Sequence, residues 1–144
     1  MSEKILHNNK LLALLVRGNY RKKKGVKFFT ENKDIQQIGY MNHKKNHIIK
    51  PHLHKRQVRK LNHTSEVLLI LKGVLRVDFY SKKKKYLFSK ILKEKDIIML
   101  VHGAHGFKIL KPVQMIEIKQ GPFISKLDKI RFNAVDEKKI KIKK

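Results

Sequence analysis

The chain has 144 residues, with 36 Lys and Arg against 11 Asp and Glu, a formal net charge of +25, and no cysteine. This length allows one ordinary domain and excludes most two-domain enzymes, and an apolar content of 41% is sufficient for a core. The lack of cysteine excludes disulfides, thiolate nucleophiles and Cys-ligated metal centres. Any metal must therefore be held by histidine and carboxylate side chains.

The predicted elements are short strands, many of them rich in β-branched or aromatic residues. Leu75, Val77 and Phe79, for example, alternate with more polar neighbours, which is the period of two of a strand. Strands are expected at residues 11–17, 26–29, 35–41, 48–54, 66–71, 74–80, 86–92, 97–101, 106–110 and 113–119. So many strands in a small chain predict an all-β sandwich or barrel. No apolar run is long enough to span a membrane, so the cytoplasm is the expected location.

The positive charge is mostly lysine, which contributes 30 of the 36 basic residues. Arginine reads phosphate and bases better because of its planar fork, so we expect no specific nucleic-acid partner. No membrane partner is expected either, because the sequence contains no membrane span. The lysine runs at residues 22–24, 82–85 and 138–144 are expected in solvated turns and a frayed C-terminal tail. The remaining effect of the charge is a positive field that attracts an anionic small molecule.

Three histidines stand out by their spacing. His52 and His54 lie two apart in a predicted strand, so their side chains share one face and can converge on one ion. Glu66 opens the next strand, and Gly73 marks a turn behind it. His105 follows a further strand, in the Gly-rich stretch His102-Gly103-Ala104-His105-Gly106. Imidazole and carboxylate groups such as these are suitable metal ligands where a fold brings them together.

These residues resemble the two motifs of the cupin superfamily, which are small jelly-roll β-barrels. His52, His54, Glu66 and Gly73 match the first motif in order, and Asp96, Gly103 and His105 match the second in part. The resemblance implies a single cupin domain over residues 1–144. Its core would span residues 35–124, with N-terminal strands in residues 1–34 and a basic tail in residues 125–144. It also implies His52, His54, Glu66 and His105 as metal ligands.

The chain departs from the family pattern in three places. Eleven residues separate His54 from Glu66, more than the usual spacing, which implies a loop at residues 55–65 inserted at the barrel mouth. His63 lies in that loop and could replace Glu66 as the fourth ligand. Lys95 stands where the family has glycine before Asp96, and Val101 stands where it has proline.

A second resemblance concerns function. Residues 117–123 and 128–132 look like the end of cupins related to sugar-phosphate isomerases and of cupins from surface-polysaccharide gene clusters. This implies a metal-binding cupin that either binds a phosphorylated or nucleotide-linked sugar or acts on it as an isomerase or epimerase. Imidazole and carboxylate ligands suit Fe, Mn, Ni, Co or Zn. Because exposed sheet edges tend to be covered, a homodimer is expected.

Other functions stay open at this point. A dioxygenase-type cupin, a non-enzymatic ligand-binding module and a lysine-based nucleic-acid binder are the alternatives, the last being disfavoured because few aromatic residues lie among the lysines. The catalytic residues are not predicted. Tyr40, Arg76 and Glu117 lie in predicted strands, and a surface or rim position is expected for each.

Overall fold

The fold is described here from a computed structural model, over residues 1–122 and 128–144. Phe123 of the tail motif and residue 125, where the basic tail was expected to begin, lie outside the described residues. The chain forms two compact units. Unit 1 contains Met1–Asn19 and His63–Lys144, and unit 2 contains Tyr20–Asn62.

Strands are almost the only regular secondary structure among the described residues, which confirms the all-β prediction. A 3-10 turn at Glu137–Lys139 is the one helical element of three residues or more in that part of the chain, and no described helix could cross a membrane. The strands are β1 (Ser2–His7), β2 (Lys10–Val16), β3 (Gly25–Phe28), β4 (Gly39–Asn42), β5 (Glu66–Tyr80), β6 (Tyr86–Lys93), β7 (Ile97–Leu100) and β8 (Ala104–Lys119).

Unit 1 is built on one six-stranded sheet in the order β1-β2-β7-β5-β6, with β8 paired along β5. All pairings between these strands are antiparallel. The sheet is strongly curled into a half-barrel, so the barrel-like architecture is confirmed at this level. The two longest strands, β5 and β8, run side by side for almost their whole length and carry this curl.

The bend in β5 lies at Gly73. Separate strands were predicted at residues 66–71 and 74–80, but β5 continues through this point, and β8 likewise joins the predicted strands at 106–110 and 113–119. The β5–β8 register shifts three times between Ile70 and Leu75, as expected of bulges that bend a strand. Gly73 has a φ of +92°, and a Cβ atom there would lie 2.0 Å from the carbonyl oxygen of Pro112. Only glycine allows this close approach.

The N-terminal strand β1 was not predicted. It forms a hairpin with β2 through Asn8 and Asn9, which both have positive φ angles of 48° and 59°. A two-residue Asn-Asn turn suits a hairpin of this kind, because asparagine tolerates the left-handed conformation. β2 is almost fully buried and pairs with β7 on its other side.

The core of unit 1 is built from side chains of strands β1, β2, β5, β6 and β7. Strand β5 contributes side chains from both halves, because the bulges near Gly73 reverse which alternate residues point inward. Fully buried members include Leu15, Leu68, Ile70, Leu75, Val77, Phe79, Leu92 and Ile98. The burial of apolar surface by these side chains is the main stabilising contribution to the unit.

The turn before β7 contains a residue in an unusual backbone conformation. Lys95 has a φ of +68°, so it adopts the left-handed conformation that glycine adopts most easily. The buried carboxylate of Asp96 accepts hydrogen bonds from the backbone N–H groups of Gly18 and Lys93 and from the side chain of Arg17. These contacts hold the turn and offset the strain that a non-glycine residue brings.

Unit 2 contains the β3–β4 hairpin and little other regular structure. Tyr20 packs edge-on against Phe29 and Tyr40 and forms a small aromatic cluster. The strand predicted at residues 48–54 is wrong, since residues 43–62 form no strand. Pro51 lacks a backbone donor, and basic side chains that repel one another surround it, which disfavours a paired strand. No strand forms in the predicted loop at residues 55–65 either.

The C-terminal residues are docked rather than frayed, so the frayed end predicted at residues 138–144 is wrong, although all but one of these residues are exposed to solvent, as predicted. Ser89 of β6 forms two backbone hydrogen bonds with this segment, to Lys141 and Lys143. The guanidinium of Arg76, which is buried, donates to both oxygens of Asp78 and to both oxygens of Glu137. Arg76 is therefore not the surface or rim residue that was expected.

Candidate functional site

Glu66 and His105 form the centre of the candidate site. The Nε2–H of His105 donates to Oε2 of Glu66 at 3.0 Å, while Glu66 is only 6% exposed. Glu66 pairs with Lys119 in the β5–β8 ladder, and His105 pairs with Phe79. A flat strand would hold residues 66 and 79 about 40 Å apart. The curl of β5 and β8 therefore creates the site, because it brings opposite ends of one ladder together.

The carboxylate of Glu66 is held ionised. Its hydrogen bond with His105, together with the charges of His105 and Lys129, lowers its pKa to about 2, against the opposing effect of burial. The Nζ atom of Lys129 lies 3.5 Å from Oε1 of Glu66. The buried carboxylate thus has a partner at each oxygen, which is the arrangement that makes a buried charge tolerable.

An open cleft of about 710 Å³ surrounds this pair, a volume in the usual range for small-molecule sites. It combines basic side chains with aromatic rings and two histidines. The residues that matter for its chemistry are His63, Glu66, Tyr80, His105, Phe107, Lys119, Asp128, Lys129, Arg131 and Phe132. Cationic groups next to apolar ring faces suit a ligand that carries both negative charge and a flat or ring-shaped part.

Residues 128–134 supply one wall of the cleft. Tyr80 anchors this wall, because its hydroxyl accepts a hydrogen bond from the backbone N–H of Val135 and its ring meets Phe132 edge-on, with centroids 5.1 Å apart. Just beyond, Glu137 binds Arg76. The docking of the C-terminal segment therefore positions the cationic side chains of Lys129 and Arg131 on the cleft.

Two further histidines lie together in unit 1. The rings of His63, which lines the cleft, and His102 are 4.3 Å apart. Burial lowers the pKa of His102, and the nearby charges of His63, Lys82 and Lys10 lower it further. Gly103, which follows His102, has a φ of +79° and leaves room for the carbonyl oxygen of Tyr80. This turn places His105 at the start of β8.

The predicted metal ligands divide between the two units. Glu66 and His105 are in direct contact, and His63 lines the same cleft. His52 and His54 belong to unit 2, where both are exposed and their rings meet edge-on with centroids 5.4 Å apart. Within neither unit do three or more described His, Asp or Glu side chains form a group that could hold a metal. The four-ligand site stays a prediction.

The donor set offers a partial fit to a metal. The carboxylate of Glu66 is ionised and the imidazole of His105 is beside it, as metal coordination requires. However, His105 and Lys129 already occupy both oxygens of Glu66, so a metal would have to displace them. The other charged groups of the cleft include the cationic side chains of Lys119 and Arg131, which suit an anion.

Several cleft residues were missed in the sequence. Tyr80, Lys129, Arg131 and Phe132 enter the site because the C-terminal segment folds back over β5, which no local pattern indicates. The resemblance of residues 128–132 to the end of certain cupins predicted no role for these residues in the site. Glu117 is exposed, as expected, and pairs with Lys119.

Comparisons with known proteins find no match: no family model, no curated protein and no solved structure is significantly similar to this chain.

Proposed function

We propose that this protein binds an anionic, sugar-type small molecule, either phosphorylated or nucleotide-linked, in the cleft around Glu66 and His105. The observation that carries the proposal is the combination of Lys119, Lys129 and Arg131 with aromatic rings in one cleft. Basic groups would pair with phosphate oxygens. The ring of Phe107 or Phe132 would pack against a base or the apolar face of a sugar.

The Glu66–His105 pair gives this cleft the means to move a proton. A histidine oriented by a carboxylate is a common general acid or base, because its charge changes near neutral pH. If the ligand has a carbonyl with an acidic neighbouring C–H bond, His105 would transfer the proton and Glu66 would orient the imidazole. This is the chemistry of a sugar isomerase or epimerase. A ligand without such a bond would only be bound.

Metal binding is the second candidate. It is favoured by the contact between Glu66 and His105, which supplies two suitable donors at one point, with His63 on the same cleft. A bound Fe, Mn, Ni, Co or Zn ion would polarise a ligand oxygen. Elemental analysis of purified protein tests this: we expect stoichiometric metal that is lost in Glu66→Gln/His105→Ala. Oxygen uptake by iron-loaded protein would indicate a dioxygenase instead.

Thermal-shift titration tests the binding proposal. We expect UDP-glucose or glucose 6-phosphate to raise the melting temperature of the wild type, and glucose to have no effect. The effect should be lost in Lys129→Ala/Arg131→Ala and retained in the matched control Lys83→Ala/Lys85→Ala, which removes the same charge from the β5–β6 turn. Equal stabilisation of both variants, or none of the wild type by either anion, would contradict the proposal.

A further inference from the structure

A long basic stretch without acidic residues lies in unit 2. From residue 35 to residue 65 the chain has no Asp or Glu, and residues 44–62, here called the basic segment, contain seven Lys and Arg. Every residue of the basic segment is exposed. The proposed function makes no use of it.

The basic segment also exposes aliphatic side chains. Val58 is 96% exposed, Leu53 83% and Ile48 78%, and Ile49 and Leu61 are exposed to a lesser degree. Five exposed aliphatic residues in one short stretch of chain are unfavourable in water, and exposed apolar surface on this scale points to an interaction. The basic residues lie between them along the chain, at Lys50, at Lys55 and Arg56, and at Arg59 and Lys60.

We propose that the basic segment binds the surface of an anionic membrane. Lys and Arg would contact lipid phosphates, where each such residue adds a favourable electrostatic contribution. The aliphatic side chains would enter the boundary between headgroups and acyl chains. This proposal departs from the prediction, made from the sequence, that the protein has no membrane partner.

The side chains of the segment favour lipid over nucleic acid. Binding of single strands relies on aromatic side chains that stack on bases, and no Phe, Tyr or Trp occurs between Tyr40 and Phe79. A phosphodiester backbone offers no apolar surface to Leu53 and Val58, whereas the hydrocarbon of a bilayer does. An anionic bilayer would thus contact both the charged and the apolar side chains of the basic segment.

Vesicle co-sedimentation with the full chain tests the proposal. The probes are vesicles of phosphatidylcholine alone and of phosphatidylcholine with phosphatidylglycerol in a three-to-one ratio. We expect binding only to the anionic vesicles, weakened on the order of 100-fold in Lys55→Glu/Arg56→Glu/Arg59→Glu. The control Lys82→Glu/Lys83→Glu/Lys85→Glu makes the same charge change in the β5–β6 turn and should weaken binding far less.

A second variant separates lipid from nucleic acid. Leu53→Ser/Val58→Ser leaves the charge unchanged and should weaken vesicle binding several-fold while leaving any affinity for a single-stranded oligonucleotide unaltered. The proposal is overturned if anionic vesicles do not bind, if both charge variants lose binding equally, or if the serine variant binds vesicles like the wild type. Preferential binding of the oligonucleotide over the vesicles would also overturn it. Thermal-shift binding of sugar phosphates in the cleft is measured separately, so failure here leaves the cleft proposal intact.

Discussion

The carboxylate of Glu66 links the stability of the protein to pH. Its pKa is lowered from 4.5 to about 2 by the hydrogen bond with His105 and by nearby positive charge. A lowered carboxyl pKa stabilises the folded state above the unfolded pKa, and this contribution is lost as pH falls through the folded pKa. The relevant window is therefore pH 4.5 down to about 2.

Glu66→Gln should remove this pH dependence. We expect the wild type to lose about 1–3 kcal/mol of stability in that window beyond the loss seen in the variant. Urea unfolding at pH 6 and pH 2.5 measures the difference. Parallel losses in the two proteins would show that the carboxylate is not paired in the folded state.

Gly73 tests the bend on which the site depends. In Gly73→Ala the new Cβ would meet the backbone of Pro112 at 2.0 Å, so a destabilisation of roughly 3 kcal/mol or more is expected. Gly25→Ala is a matched control, because Gly25 has a similar φ of +88° with nothing near its Cβ position. That control should cost about 1–2 kcal/mol from conformational strain alone. Equal unfolding midpoints for both variants would contradict the role assigned to the close approach at Gly73.

At the scale of elements, the docked C-terminal segment holds one wall of the cleft. Glu137→Ala should loosen this segment while leaving Arg76 paired with Asp78, so the sheet should remain folded. We expect faster tryptic cleavage at Lys138 and Lys139 and weaker ligand binding. Glu94→Ala, which removes an exposed acid from the β6–β7 turn, is the control. Unchanged cleavage in Glu137→Ala would show that Arg76 does not anchor the segment.

Most strands of unit 1 were predicted correctly, because the alternation that marks a strand is a local feature of the sequence. Residues 86–92 and 97–101 were predicted within a residue of β6 and β7, since alternation and turn signals define them. The sequence could not show that β5 and β8 each continue through a bulge, because a break in pattern there looks like a turn. Residues 48–54 were predicted as a strand from apolar content alone, without regard to the absence of a partner strand.

Only part of the candidate site was predicted from the sequence. Glu66 and His105 were identified by motif and meet in the structure, although Glu66 had been uncertain because of the long loop before it. Lys129 and Phe132 could not be predicted as partners, since their position depends on tertiary contacts of Tyr80 and Arg76 far away in sequence. The curl of the sheet and the docking of the C-terminal segment complete the cleft, and no local sequence pattern indicates either of them.

At the scale of the whole molecule, the homodimer stays a prediction. Among the described strands β8 pairs only with β5, and it exposes Ile109, Ile116 and Ile118, so its other edge is the one that a second copy would cover. Light scattering during gel filtration should give twice the chain mass of 17.1 kDa. A mass of one chain over a range of concentrations would contradict it.

The net charge of +25 acts on the whole molecule as well. It should speed the arrival of anions at the cleft, and added salt should slow it because exposed charges are screened. The cleft itself also holds Glu66 and Asp128, so its selectivity depends on where the cations lie rather than on their number.

Histidine-resolved NMR during titration with UDP-glucose gives the sharpest test of whether the cleft around Glu66 and His105 binds an anionic sugar ligand. We expect the ring signals of His105 and His63 to shift with one saturating curve, while His7, which does not line the cleft, stays unchanged. A titration that leaves His105 unshifted, or that shifts all eight histidines alike, would contradict it.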